Sequence, residues 1–97
     1  MIEGIVHLGI IVKDIQKTVE DFCATYDLPL PEIRFVEDRN MKVTVVPFGT
    51  SSLEFVEDLK EGSNLTKHVE EAGPFIHHFA LGTDNIEDDI LSLEKKG

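Results

Sequence analysis

Residues 5–15 run IVHLGIIVKDI, and residues 76–86 run IHHFALGTDNI. Each begins as a short, continuous apolar stretch rich in β-branched or aromatic side chains, so residues 5–12 and 75–82 are expected to be buried strands. In each, a histidine (His7, His78) stands eight residues before the isoleucine that opens a helical stripe (Ile15, Ile86). A small residue follows two positions after each histidine (Gly9, Ala80), and the offset between the copies is 71 throughout. Matching histidine, small residue, apolar residue and cap region together mark an internal repeat of a strand–helix unit.

Working outward, Asp14 is a plausible N-cap for a helix over 15–27. Ile15, Val19, Phe22, Cys23 and Tyr26 then fall on one helical face. Pro29 and Pro31 break the chain. Residues 33–37 alternate as an edge strand would. Residues 41–48 and 52–57 flank Gly49-Thr50-Ser51, a hairpin signal. Ser63 or Asn64 can cap a short helix carrying Leu65, Val69 and Ala72, which Gly73-Pro74 ends. After the second apolar strand, Asp84 with Glu87 reads as a capping box with Asp84 in the capping role. Ile86, Ile90, Leu91 and Leu93 form the next helical face, and Gly97 can close it.

The expected fold class is α+β within a single domain, 1–97: a βαβββ module at 4–57, a linker with a short helix at 58–74, and the opening strand and helix of a second module at 75–97. The remaining three strands of a second module would fall beyond residue 97, and the counterpart of Glu54 near position 125. Sheet edges would then stand exposed unless something covers them.

Composition narrows the partners. The chain has 97 residues, enough for one small domain, with 41% apolar content, ordinary for a packed core. Asp and Glu number 19 against 9 Lys and Arg, which argues against nucleic acid and against an anionic membrane surface. The lone cysteine, Cys23, excludes an internal disulfide and falls on a helix's apolar stripe, as a core residue would. No basic segment followed by an apolar one marks a signal peptide, and no apolar run approaches the ~20 residues needed to span a bilayer. A cytoplasmic location, bacterial or organellar, is the expectation.

Alternation along strands puts His7 on a face with Ile5, Gly9 and Ile11, His78 with Ile76, Ala80 and Gly82, and Glu54 with Ser52 and Val56. If the repeated units pack side by side, two imidazoles and a carboxylate converge. Such a set suits Zn, Fe, Ni, Co or Mn and leaves positions open for substrate or water. A lone histidine on an apolar strand is more ordinarily a hydrogen-bonded core residue, and Glu54 could simply face solvent; it is the recurrence at equivalent places that favours the metal. His77 is expected on the opposite face to His78, and His68 on an exposed helix surface.

IVHLGIIVKDI, the SLEFVE strand at 52–57 and IHHFALGTDNI resemble the vicinal-oxygen-chelate superfamily, which includes glyoxalase I and methylmalonyl-CoA epimerase. Gly73-Pro74-Phe75-Ile76-His77-His78, the acidic helix after it and the closing LEKKG are most similar to the epimerase group. The resemblance spans residues 4–97. It implies paired βαβββ modules forming an open, cupped mixed sheet, with helices outside, around a divalent metal. His7, Glu54 and His78 are then ligands, and a fourth, a Glu on the last strand of the second module, has no counterpart here. The implied reaction is proton abstraction beside a thioester carbonyl, with an acyl-CoA as substrate and a homodimer as the assembly. Some epimerases carry a Glu base in the third strand; MKVTVVPF offers none. A glyoxalase I-type lyase, an extradiol dioxygenase and a truncated, non-catalytic metal- or ligand-binding module are the alternatives.

Overall fold

Why the first apolar run becomes a central strand follows from its neighbours. In a computed structural model, which describes residues 1–97, β1 (Ile2–Ile11) lies between β4 (Ser51–Asp58) and β5 (Phe75–Thr83) in one five-stranded sheet of order β2-β3-β4-β1-β5. It pairs parallel with β4 and antiparallel with β5. The sheet is therefore mixed, and with three helices the class is α+β, as expected. β2 (Arg34–Val36) is the short edge strand, antiparallel to β3 (Met41–Phe48), which forms the predicted hairpin with β4.

Helix α1 (Ile15–Thr25) starts where the Asp14 side chain accepts a hydrogen bond from the Lys17 backbone N–H at 3.1 Å. Glu57 on β4 adds a second anchor, accepting from the Ile15 N–H at 2.9 Å. The helix stops two residues before the expected position 27, because Asp27 takes a left-handed φ of 54°. Aspartate tolerates this conformation, and it lets the Leu28 N–H bond back to the Cys23 carbonyl at 2.8 Å. The stripe of Ile15, Val19 and Cys23 buries against Val12, Val46 and Phe55 to make the main core. Each such aliphatic side chain contributes about 1.5–3 kcal/mol by leaving water.

Ser63 proves to be the cap of α2 (Asn64–Ala72), accepting from the Thr66 N–H at 3.1 Å. Gly73, at φ 85°, ends it in a conformation that only glycine adopts without strain. Val69 of α2 joins Ile11 and Val56 in a second, smaller core cluster.

At the start of α3 (Ile86–Lys96) the expectation fails. The cap is Asn85, which accepts from the Asp88 N–H at 3.1 Å, rather than Asp84. Asp84 is drawn elsewhere: its carboxylate pairs with the Met1 ammonium at 2.6 Å, a contact from the far end of the chain. Asn85 is also the residue equivalent to Asp14 under the 71-residue offset.

Candidate metal centre

Three neighbouring strands bring the candidate ligands together. Gly9 of β1 pairs with Glu54 of β4 on one side and with His78 of β5 on the other. Two residues earlier, His7 pairs with Ala80. His7 Nε2 lies 3.2 Å from His78 Nε2, and His78 Nε2 lies 3.4 Å from Glu54 Oε1. One ligand atom from each of the three falls within 4.8 Å of the others. The predicted trio thus converges.

The small residues flagged in the repeat explain how the rings fit. A Cβ at Gly9 would collide with the His78 imidazole, so that ring occupies the space a side chain would take. His7 sits beside Ala80 in the equivalent arrangement. Gly9 is therefore part of the site, a role the sequence signalled only by a small residue recurring two positions after each histidine.

The two rings meet nearly edge to face, with planes at 84°. Two nitrogens bound to one ion at the usual metal–nitrogen length of about 2.0–2.1 Å stand roughly 2.9–3.4 Å apart at right or tetrahedral angles. The observed spacing meets that requirement. A carboxylate and two imidazoles are a mixed donor set for a borderline divalent ion. The side chains of His78 and Glu54 are 38% and 27% exposed, so the centre is open to solvent.

Strict alternation breaks down at three places along the β1–β5 pairing, and two of them adjoin a candidate ligand. On β1 the pairing passes from Ile5↔Leu81 to His7↔Ala80, leaving Val6 as an extra residue. On β5 it passes from Gly9↔His78 to Ile10↔Ile76, leaving His77 as the extra residue. Val6 and His77 are equivalent under the repeat, so each candidate histidine is preceded by a β-bulge. The bulge corrects the expected placement of His77. It does not point away from the site: its Nδ1 lies 2.9 Å from His78 Nδ1, and both histidines line the same cavity. That contact places His77 against the ring whose Nε2 faces Glu54 and His7.

That cavity has a volume of about 250 Å³ and is walled in part by Ile11, Met41, Val43 and Val56. The side of β3 facing it offers no carboxylate, in keeping with the sequence. Outside the site, the expectations for Cys23 and His68 hold: Cys23 is buried, and His68 is exposed with its ring edge against Phe75. No helix is long and apolar enough to cross a membrane.

A family model for the Glyoxalase/Bleomycin resistance protein/Dioxygenase superfamily matches residues 6–97, and the chain belongs to that superfamily. Among solved structures, it is similar to methylmalonyl-CoA epimerases. A variant of the Streptomyces coelicolor epimerase in complex with 2-nitronate-propionyl-CoA shares 27% identity at a TM-score of 0.80, covering 100% of this chain and 72% of that one. A methylmalonyl-CoA epimerase in complex with methylmalonyl-CoA and NH4+ gives the same values. A hypothetical protein from Bacillus halodurans C-125 shares 28% identity at a TM-score of 0.79, covering 96% of this chain and 67% of that one. No curated protein matches the chain.

Proposed function

We propose that the chain is one glyoxalase-like domain, 1–97, in which His7, Glu54 and His78 hold a divalent metal ion, and that it acts as an epimerase or isomerase of the methylmalonyl-CoA epimerase type in the cytoplasm. The reaction is proton abstraction next to the thioester carbonyl of an acyl-CoA. The observation that carries this reading is the convergence of three ligand atoms within 4.8 Å, from three adjacent strands, over a glycine that makes room for one of the rings. The likeness to epimerases at 27% identity supports the substrate class.

When bound, the ion supplies a Lewis acid for the carbonyl oxygen beside the abstracted proton. The chain's own residues do the rest. His7 and His78 present neutral nitrogens, and Glu54 supplies the negative charge that balances the ion. Ile11, Met41, Val43 and Val56 line the adjoining cavity and keep water from the acyl chain. β3 contributes no base, so proton transfer falls to a group other than a carboxylate on that strand.

The test is metal titration into wild type and His78→Ala, followed by exchange of the methylmalonyl-CoA α-proton with deuterated solvent. Cobalt, manganese, zinc, nickel and ferrous iron are each tried, since the donor set suits all five. Wild type is expected to bind one ion per chain and His78→Ala at least tenfold more weakly, in line with the roughly 10–100-fold effects seen for residues supporting a metal. Equal binding by the two proteins ends the metal-site reading. No exchange in an intact, metal-loaded protein ends the epimerase reading.

A second reading is favoured by one observation. Ile76, Phe79, Ile86, Leu91 and Leu93 on β5 and α3 are all more than half exposed. A binding module that buries this face in a homodimer would account for it. Sedimentation across a concentration series would show a dimer, and a monomer at all concentrations would remove this reading.

A further inference from the structure

The cavity beside the three ligands has one cationic wall. Its histidines come from β5 and its carboxylate from β4, whereas Arg39 lines it from the turn between β2 and β3. The rest of the lining is largely apolar, including Val43, Val56 and Leu65. Arg39 is the only basic residue apart from the histidines on this lining.

We propose that Arg39 binds an oxyanion of the substrate, a carboxylate or a phosphate, at the end remote from the atoms that meet His7, Glu54 and His78. This assignment rests on reading the cavity as the substrate site. Acidic residues outnumber Lys and Arg 19 to 9, yet of those nine only Lys60 meets a carboxylate. Arg39 makes no ion pair, and its side chain makes no hydrogen bond. Its two preceding neighbours, Glu37 and Asp38, leave it unpaired as well.

The backbone that carries it is nonetheless held. The Arg39 carbonyl accepts from Lys60 Nζ at 2.7 Å. Asn40 closes the 3-10 turn Glu37–Arg39 in a left-handed conformation, φ 51°, with its N–H bonded to the Glu37 carbonyl at 3.2 Å. The Asn40 carbonyl in turn accepts from the Leu59 N–H at 3.0 Å. A held backbone carries a free guanidinium to this wall, and its planar fork suits the two oxygens of a carboxylate or phosphate. Apolar walls around a few placed polar groups are the usual make-up of a ligand pocket. The substrate class is therefore one that carries both oxygen atoms able to chelate a metal and a separate oxyanion.

The experiment uses the full chain without metal, so that it stands apart from the metal-site reading. Succinate or inorganic phosphate is titrated in while NMR follows the Arg39 Nε–Hε signal and the methyl groups of Val43 and Leu65. One of the two anions is expected to shift all three signals saturably, and which one does so separates a carboxylate from a phosphate. Arg39→Ala should bind that anion about 10–100-fold more weakly, the range for a charge-assisted hydrogen bond, and Arg39→Lys should recover part of the loss. Thermal unfolding of both variants confirms that they are folded. Identical titrations of wild type and Arg39→Ala, or no shift with either anion, overturn the assignment. Anion binding that depends on Arg39 in a protein that takes up no metal sinks the epimerase reading and leaves the Arg39 site standing.

Discussion

The two strand–helix units share a pattern but not a fate. In the first, Ile15 and Val19 of α1 are completely buried; in the second, the equivalent Ile86 and Ile90 of α3 are 63% and 47% exposed. The helical stripe is present in both sequences. What differs is the surface beneath it. Helix α1 lies over β3 and β4, whose Val46 and Phe55 meet its stripe, whereas no strand follows β5 in the sheet order. An amphipathic pattern therefore says which face a helix would bury, while the neighbouring strands decide whether it does.

The sharpest way to break this comparison is to make the same truncation in both units. Ile15→Ala should destabilise the fold by about 2–4 kcal/mol, as expected for a fully buried aliphatic side chain. Ile86→Ala at the equivalent position should change it by no more than about 0.5 kcal/mol. Urea denaturation of the two variants measures both, and equal losses would show that α3 is packed in solution after all.

The site supplies the next contrast, because stability and binding should separate there. Gly9→Ala pushes the His78 ring out of its place, and a side chain can swing aside where backbone cannot. The variant is expected to remain folded while losing at least about tenfold in metal affinity. Calorimetric metal titration alongside a melting curve would reveal this, and unchanged affinity would mean that the ring has another place from which to bind.

Capping residues extend the comparison at lower amplitude. Asp14→Ala should cost about 1 kcal/mol of global stability, because α1 is part of the core. Asn85→Ala should fray the start of α3 and leave the midpoint of global unfolding unmoved. Hydrogen exchange at the Lys17 and Asp88 amides, read beside global denaturation, distinguishes local from global loss.

The smallest effects concern pH. Burial alone would raise the Asp58 pKa, but hydrogen bonds from the Ser63 hydroxyl at 2.6 Å and the Lys60 backbone N–H at 3.0 Å, with the Lys60 ammonium at 3.2 Å, hold it below the ordinary value. A carboxylate depressed on folding contributes stability above its unfolded value of 3.8, and this is lost as the pH falls through the lower folded value. Wild type should lose stability across that acid range, and Asp58→Asn should flatten this part of the profile. In the second unit, hydrogen bonding to the Met1 ammonium lowers the Asp84 pKa, but the pair is exposed on both sides. Asp84→Asn should therefore leave a denaturation curve at physiological salt unchanged.

Much of this organisation is legible in the sequence. The repeat marks β1, β5 and both long helices, Asp14 caps α1 as its position predicts, and Ser63 is one of the two residues the sequence offers as a cap for α2. His7, Glu54 and His78 converge because strand alternation holds from His7 through Gly9 to Ile11 and from Glu54 to Val56. Other features escaped because they arise in pairing rather than in local sequence. A bulge exists only between two strands, so Val6 and His77 gave no sign that alternation would lapse beside each ligand. The Asp84 ion pair joins residues 83 positions apart, and no local capping pattern anticipates it. Arg39 escapes for a similar reason, since its cavity is assembled from β1 through β5 and α2.

The order of synthesis gives the central position of β1 a further meaning. His7 emerges early, but its partners Glu54 and His78 follow 47 and 71 residues later. At roughly 5–20 residues per second, the first histidine waits about 4–14 s for the second. Contacts so distant in sequence also form slowly once the chain is free, because a long loop must close before they reward it. The βαβββ segment can collapse around Ile15, Val19 and Phe55 during that interval. The three candidate ligands thus cannot come together until His78 has been made, 71 residues after His7.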